Sequence, residues 1–278
     1  MPQMGKVIAS VLIFLIAQTT AAWGLDRRIL SPNYRPTSKK VKVAVFDADS
    51  TLRVAPSGNV SANHERDFFL LPFVTEKIAE LVRQGYLVVI ASNQAGVGRH
   101  VTLEQADAAL FRLRKLVHHF NPAAEIHYHD FAEKNDGDRK PQTGMIDRLE
   151  QILRDEFEDE FPGIAIDRKR SFVCGDAAYK KAKKGEPGQT RPDGSPGTDV
   201  SDSDRMLAHN AGMAFIDPAD FFEWVKRGGP VRFHSKPEVD AFFEAHPEWY
   251  KAGQSCPREL GSDIPDRVKR KTRPKKSP

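Results

Sequence analysis

Val41-Lys42-Val43-Ala44-Val45-Phe46 runs directly into Asp47-Ala48-Asp49-Ser50-Thr51-Leu52, and this junction constrains the fold more than any other stretch of the chain. Val41 to Phe46 holds no proline or glycine and reads as a buried strand. Asp47 and Asp49 stand at its C-terminal end, where open α/β sheets place their ligands. A spacing of two can aim both side chains to one side. Packing alone does not ask for two acids there. An Asx-rich turn after a strand is the competing explanation, and the rest of the chain must decide.

Apolar periodicity predicts an alternation of strands and helices. Phe73 to Gln84 has helical spacing with Gly85 as a fitting residue after its end. Tyr86 to Ala91 is a second buried strand, followed by Ser92-Asn93-Gln94. Thr102 to Val117 is an amphipathic helix with Thr102 and Gln105 placed for a capping box. Ile126 to Phe131 is a weaker strand, Gly144 to Phe157 a helix, and Arg170 to Cys174 a strand ending in Gly175-Asp176. Asp202 to Ala211 reads as helix, Met213 to Ile216 as strand, and Pro218 to Lys226 as one helix with proline in its first turn. Thr51 to Pro72 reads as a loop with a short hairpin. This order predicts an α/β fold: a doubly wound, Rossmann-like parallel sheet. No large cap domain is expected, because only about 20 residues separate Thr51 from the first helix.

The two ends differ from the middle. Lys6 precedes a predominantly apolar run from Val7 to Ala17, and Thr20-Ala21-Ala22 follows with small residues. This resembles a signal peptide over 1–22, so the chain is expected to be exported, periplasmic or secreted. The apolar run is shorter than the ~20 residues of a membrane-spanning helix, and an uncleaved N-terminal anchor is the alternative. Residues 23–40, with Pro32 and Pro36, read as a linker, and 41–232 as the folded body that carries the strand-and-helix alternation. Residues 233–265, with Phe242, Phe243, Trp249 and Tyr250, read as a helical extension. Seven of the 42 lysines and arginines lie in 267–278, which holds no acid. The remaining 35 face 38 acids, so a near-neutral body carries a basic tail, 266–278, of disordered character. With two cysteines, at most one disulfide is possible.

Three strands end in polar groups that meet at one sheet edge: Asp47 and Asp49, then Ser92 and Asn93, then Asp176. Lys140 precedes a helix starting at the same edge. These are the parts of a phosphoryl-transfer site. A carboxylate attacks phosphorus, a second handles the proton, and a cation with a lysine offsets charge on the transferred group. An all-oxygen site suits Mg²⁺.

The stretch Phe46-Asp-Ala-Asp-Ser-Thr-Leu52 resembles the first motif of the haloacid dehalogenase superfamily. The chain is most similar to the 3′-phosphatase domain of the polynucleotide kinase–phosphatases. Ser92-Asn-Gln94, Arg139-Lys-Pro-x-x-Gly-Met-x-Asp147 and Phe172-Val-x-Gly-Asp-Ala-Ala178 carry that similarity. So do Asp199-x-Ser-x-Ser-Asp-Arg205, Ala208-x-Asn-x-Gly212 and Pro218-x-x-Phe-Phe222, over about 41–225. The resemblance implies Asp47 as nucleophile and Asp49 as general acid and base. It implies Mg²⁺ on Asp47, the Asp49 carbonyl and Asp176, with Asp204 helping to orient metal waters. Thr51, Ser92 and Asn93 would bind phosphate, and Lys140 would stabilise its charge. Asp204 occupies the place of the second acid of the last motif, while Asp199 is either part of that motif's site or a loop-closing residue.

Ser50 departs from the pattern, standing where glycine is usual; a negative φ would make that harmless. No G-x-x-x-x-G-K-[ST] loop is present, so no kinase domain is expected in this chain. Residues 180–198 read as a mobile surface insertion. His127 and His129 are spaced to share a strand face, as surface histidines or as metal ligands. The leading expectation is a Mg²⁺-dependent phosphomonoesterase acting on 3′-phosphate ends of nucleic acid or on nucleotides. A small-molecule phosphatase, for a sugar bisphosphate or histidinol phosphate, and a non-catalytic secreted phosphate-binding protein are the alternatives.

Overall fold

The computed structural model describes residues 27–55, 62, 67–227, 241 and 244–245. The signal-peptide segment 1–22, the basic tail and all but three residues of the extension 233–265 lie outside them, as does Cys256. The elements are β1 (Lys40–Phe46), β2 (Arg53–Val54), β3 (Phe69–Leu70), α1 (Val74–Arg83), β4 (Tyr86–Asn93), α2 (Leu103–Phe120), β5 (Tyr128–Ala132), α3 (Gly144–Phe157), β6 (Ala165–Ile166), β7 (Phe172–Cys174), α4 (Ser203–Ala211), β8 (Ala214–Ile216), α5 (Pro218–Phe221) and α6 (Trp224–Arg227).

The main sheet has the order β5-β4-β1-β7-β8, all parallel, and β6 extends it beside the start of β1. The chain winds from β1 out to β5 and then returns to the other side of β1. That reversal places the end of β1 at the topological switch point, where crossover loops diverge and leave a crevice. The α/β doubly wound expectation is the fold observed.

Strand alternation explains why β1 and β4 are apolar throughout. Ala44, Phe46, Val88 and Ile90 face a core with α1 and α2. Val43, Val45, Leu87 and Val89 face a second core with α3 and α4. Sheets covered on both faces need such continuous apolar strands. A 3₁₀ turn at Arg168–Arg170 interrupts the ladder between β6 and β7. The Ser171 hydroxyl fills the gap, accepting from the Val43 N–H at 2.9 Å and donating to the Asp167 carbonyl at 2.7 Å. Thr102 and Gln105 form the expected capping box, and Gly85 ends α1 at φ +77°.

Several expectations change. The stretch read as a linker is, from Arg27 onward, packed on the body: Leu30 and Tyr34 are buried, and the Ser31 N–H donates to the His127 carbonyl at 2.7 Å. The helix expected over Pro218–Lys226 breaks in two, with Glu223 at φ +56°. Phe222 and Trp224 are both buried and stack at 5.1 Å. Two residues apart on a continuous helix point to nearly opposite sides, so burying both requires the break. His127 and His129 are core residues rather than surface ones or a metal pair. The His127 Nδ1 accepts from the Val88 N–H at 3.1 Å, while the His129 Nε2 meets Asp107 at 3.0 Å and its Nδ1 meets Arg114 at 3.1 Å. Ser50 has φ +60°, not the negative value that would make its side chain harmless. Among the described residues no helix is long and apolar enough to cross a membrane.

Two predictions follow from these backbones. A non-glycine residue in the left-handed region costs roughly 1–2 kcal/mol, and glycine returns roughly 0.4–1 kcal/mol of that as unfolded-state entropy. Ser50→Gly should therefore raise the urea midpoint, by about 0.5–1 kcal/mol in stability. Burial chiefly lowers the His127 pKa from 6.5 to about 4. Between those values the unfolded chain binds the proton and the folded chain does not. Stability from this group is complete above pH 6.5 and falls as pH drops toward 4, by up to about 3 kcal/mol. Urea titrations across that window should show a steeper loss in the wild type than in His127→Gln.

Candidate active site

Asp47 is the first residue past β1, and its N–H donates to the Cys174 carbonyl at 2.9 Å, so the parallel ladder holds the backbone of the acid in place. Lys140 reaches it from the loop before α3. The Lys140 Nζ donates to Asp47 Oδ1 at 2.5 Å and lies 2.7 Å from Asp204 Oδ1. Asp204 is on the first turn of α4. All three residues are buried. Burial alone would push the ammonium pKa down, but Asp204 and Asp47 outweigh it and hold the lysine well above its ordinary range. Burial raises Asp47 to about 6; Lys140 pulls it down while Asp204 and Asp49 push it up. The carboxylate is thus ionised at neutral pH and still short of positive charge.

Glycine permits this packing. A Cβ on Gly175 would come within 2.4 Å of the Asp204 carboxylate, closer than real contacts allow. Asp176 follows, and its carboxylate, with those of Asp47 and Asp204, offers oxygens all within 4.8 Å of one another. The buried Asp204 Oδ1 meets Lys140 only as an ion pair and takes no hydrogen bond. Three converging carboxylates with one incompletely satisfied oxygen fit a hard divalent cation. Asp204 also anchors the loop after β7, its Oδ2 accepting from the Ala177 N–H at 3.0 Å.

Asp49 lies beside this group without joining it through its side chain. Its Oδ1 accepts from Arg53 Nε at 2.8 Å and its Oδ2 from Gln94 Nε2 at 2.9 Å. Gln94 also donates to the Ser92 Oγ at 3.0 Å, linking the second carboxylate to the serine at the end of β4. Arg53 is buried, donates to the Ala109 carbonyl of α2 at 3.2 Å, and lies over the Phe68 ring. Neither Arg53 nor Gln94 carries a role in the sequence reading. An arginine inside the apolar Leu52-Arg53-Val54-Ala55 was the available signal, since a charge in a buried strand demands a partner.

Two expected phosphate ligands differ in their engagement. The Thr51 hydroxyl is buried with no hydrogen-bond partner, as befits an acceptor or donor held for a ligand. Asn93 is committed elsewhere: its Oδ1 accepts from the Lys140 N–H at 2.9 Å and its Nδ2 donates to the Lys140 carbonyl at 3.1 Å. Its visible task is to position the lysine. Asp199 adopts the loop-closing role, with Oδ2 accepting from the Ala178 and Tyr179 N–H groups at 3.0 and 2.7 Å. The insertion between them is tied to itself by bridges Lys180–Asp199, Lys183–Glu186 and Thr190–Pro196.

The chain is similar to known proteins over about two thirds of its length. A protein of Acanthamoeba polyphaga mimivirus assigned as a bifunctional polynucleotide phosphatase/kinase is 31% identical over 187 residues, covering 66% of this chain and 42% of that protein. The polynucleotide 3′-phosphatase ZDP of Arabidopsis thaliana is 28% identical over 190 residues, covering 65% and 24% respectively. The chain therefore spans less than half the length of these two relatives. Among solved structures, a D,D-heptose 1,7-bisphosphate phosphatase from B. bronchiseptica, complexed with magnesium and phosphate, aligns with 72% of this chain and 98% of its own. Its TM-score is 0.45 and its identity 16%. Residues 42–222 match the model described as polynucleotide kinase 3 phosphatase, from the start of β1 to the end of the α5 turn, and the chain belongs to that family.

Proposed function

We propose that this protein is a Mg²⁺-dependent phosphomonoesterase acting through an aspartyl-phosphate on 3′-phosphate ends of nucleic acid or on nucleotides. The observation that carries the chemistry is Lys140, buried between Asp47 and Asp204 with Asp176 alongside. The Asp47 carboxylate attacks phosphorus and the ester oxygen leaves. Asp49 gives that oxygen its proton, then takes one from the water that hydrolyses the acyl phosphate. Arg53 and Gln94 fix Asp49 for both transfers. Lys140 offsets the negative charge that Asp47 and the phosphoryl oxygens bring together. A cation held by Asp47, Asp176 and the Asp49 carbonyl, with Asp204 beside it, would supply further charge neutralisation at the phosphate.

The substrate reading rests on the insertion. It leaves the body just after Asp176 and returns just before Asp204, so it is rooted at the catalytic edge. Its Lys181, Lys183 and Lys184 are exposed and, among the described residues, make no ion pair. Lysines so placed suit a phosphate backbone extending past the end being cleaved. A sugar-bisphosphate reading has one observation in its favour. A D-glycero-D-manno-heptose-1,7-bisphosphate 7-phosphatase from Chlorobaculum tepidum is 28% identical over 148 residues, half of this chain. Export by way of residues 1–22 belongs to the proposal too, and the intact mass of the protein recovered outside the cytoplasm tests it.

Mg²⁺ should raise the melting temperature of the wild type, and Asp176→Asn should abolish that rise. Asp47→Asn should cut turnover by about a thousandfold or more; unchanged turnover would exclude Asp47 as the nucleophile, and no activity on any phosphomonoester would favour a binding protein. Alanine at Lys181, Lys183 and Lys184 together should raise KM for a 3′-phosphorylated oligonucleotide about tenfold at low salt. Hydrolysis of p-nitrophenyl phosphate should not change. If sugar bisphosphates are hydrolysed and the oligonucleotide is left intact, the nucleic-acid reading is wrong.

A further inference from the structure

The opposite end of the sheet carries a cleft of about 390 Å³ that the catalytic chemistry does not use. It lies at the N-terminal ends of β1 and β4, one wall being formed by the 33–38 segment that packs against the body. Arg35, Lys40, Lys42 and Arg170 line it, with Glu125 the one acid among the lining residues. Glu125 already pairs with the Ser31 hydroxyl, and His127 is kept neutral by burial. The lining therefore carries a net charge of about +3 at neutral pH, or about +2 once Asp167, the partner of Arg170, is counted.

Two of the cations are held in place by uncharged partners. The Lys42 ammonium donates to the Gln84 carbonyl at 2.5 Å and sits 4.6 Å over the Tyr86 ring. Arg35 donates to the Pro32 and Tyr34 carbonyls at 3.0 and 2.6 Å. Lys40 is exposed and meets no carboxylate within ion-pair distance among the described residues. Arg170 alone is paired, with Asp167 at 2.6 Å. A concave wall of like charge focuses its field into the cleft, and the volume lies within the range of small-molecule sites. It exceeds what a single phosphate ion needs. The basic segment 267–278 carries the same sign and is no candidate occupant.

We propose that this cleft is a second, non-catalytic site for a small polyphosphorylated anion, the chemistry of a nucleotide's phosphate chain or of inorganic polyphosphate. The full chain is titrated calorimetrically with tripolyphosphate and with ATP, in EDTA at about 50 mM salt. Without metal the catalytic edge presents three carboxylates and repels anions, and charge reversal in the cleft separates its binding from that of the insertion lysines and of the basic segment 267–278. Wild type should bind, and Arg35→Glu with Lys40→Glu should weaken binding about tenfold or more while turnover on p-nitrophenyl phosphate is retained. Asp47→Asn should bind as the wild type does. Equal affinity for the two probes assigns recognition to the phosphates; tighter binding of ATP adds the nucleoside. No binding by the wild type, or undiminished binding by the double variant, overturns the proposal.

Discussion

A lysine buried between two aspartates is the interaction on which the rest of this structure depends. Removing an ammonium from water is tolerable only when opposite charge surrounds it, and the aspartates would repel one another without it. Each member comes from a different place: Asp47 from the end of β1, Lys140 from the loop before α3, Asp204 from the start of α4. The triad therefore fixes the relative positions of three crossover segments at the switch point of the sheet. Gly175 shows how little slack there is, since even a methyl group would displace Asp204.

The central strands were readable because β1 and β4 bury residues on both faces, and continuous apolar runs are what that demands. The acids at strand ends were readable for the converse reason: a carboxylate beside a buried strand is costly unless it has a task. What escaped was pairwise. Nothing local says that Arg53 turns back to Asp49, or that Asn93 spends its carboxamide on the Lys140 backbone, because those partners meet only in the folded chain. The Phe222–Trp224 stack likewise overrode a good helical pattern. His127 and His129 looked polar in sequence and are core residues, satisfied by a backbone N–H and by Asp107 with Arg114.

Charge is segregated by height along the strands. Carboxylates gather where β1 and β7 end, and lysines and arginines gather where β1 and β4 begin. An anion approaching the acidic edge needs a cation already there, whereas the basic end presents its charge unaided. In the proposed reading, the insertion rooted between Asp176 and Asp204 would bring positive charge to that edge from outside, on exposed lysines rather than in the core.

The two hydrogen bonds between Asn93 and Lys140 have the donor and acceptor pattern of one peptide facing another. A side chain at the end of β4 thus adds a rung beyond the last residue of the strand, and the rung is occupied by a loop. Amide hydrogen exchange at Lys140 would then follow the opening of the sheet rather than the fraying of its loop. The lysine borrows the persistence of a strand while its side chain serves the crevice, and the site stays assembled for as long as the β4 edge does.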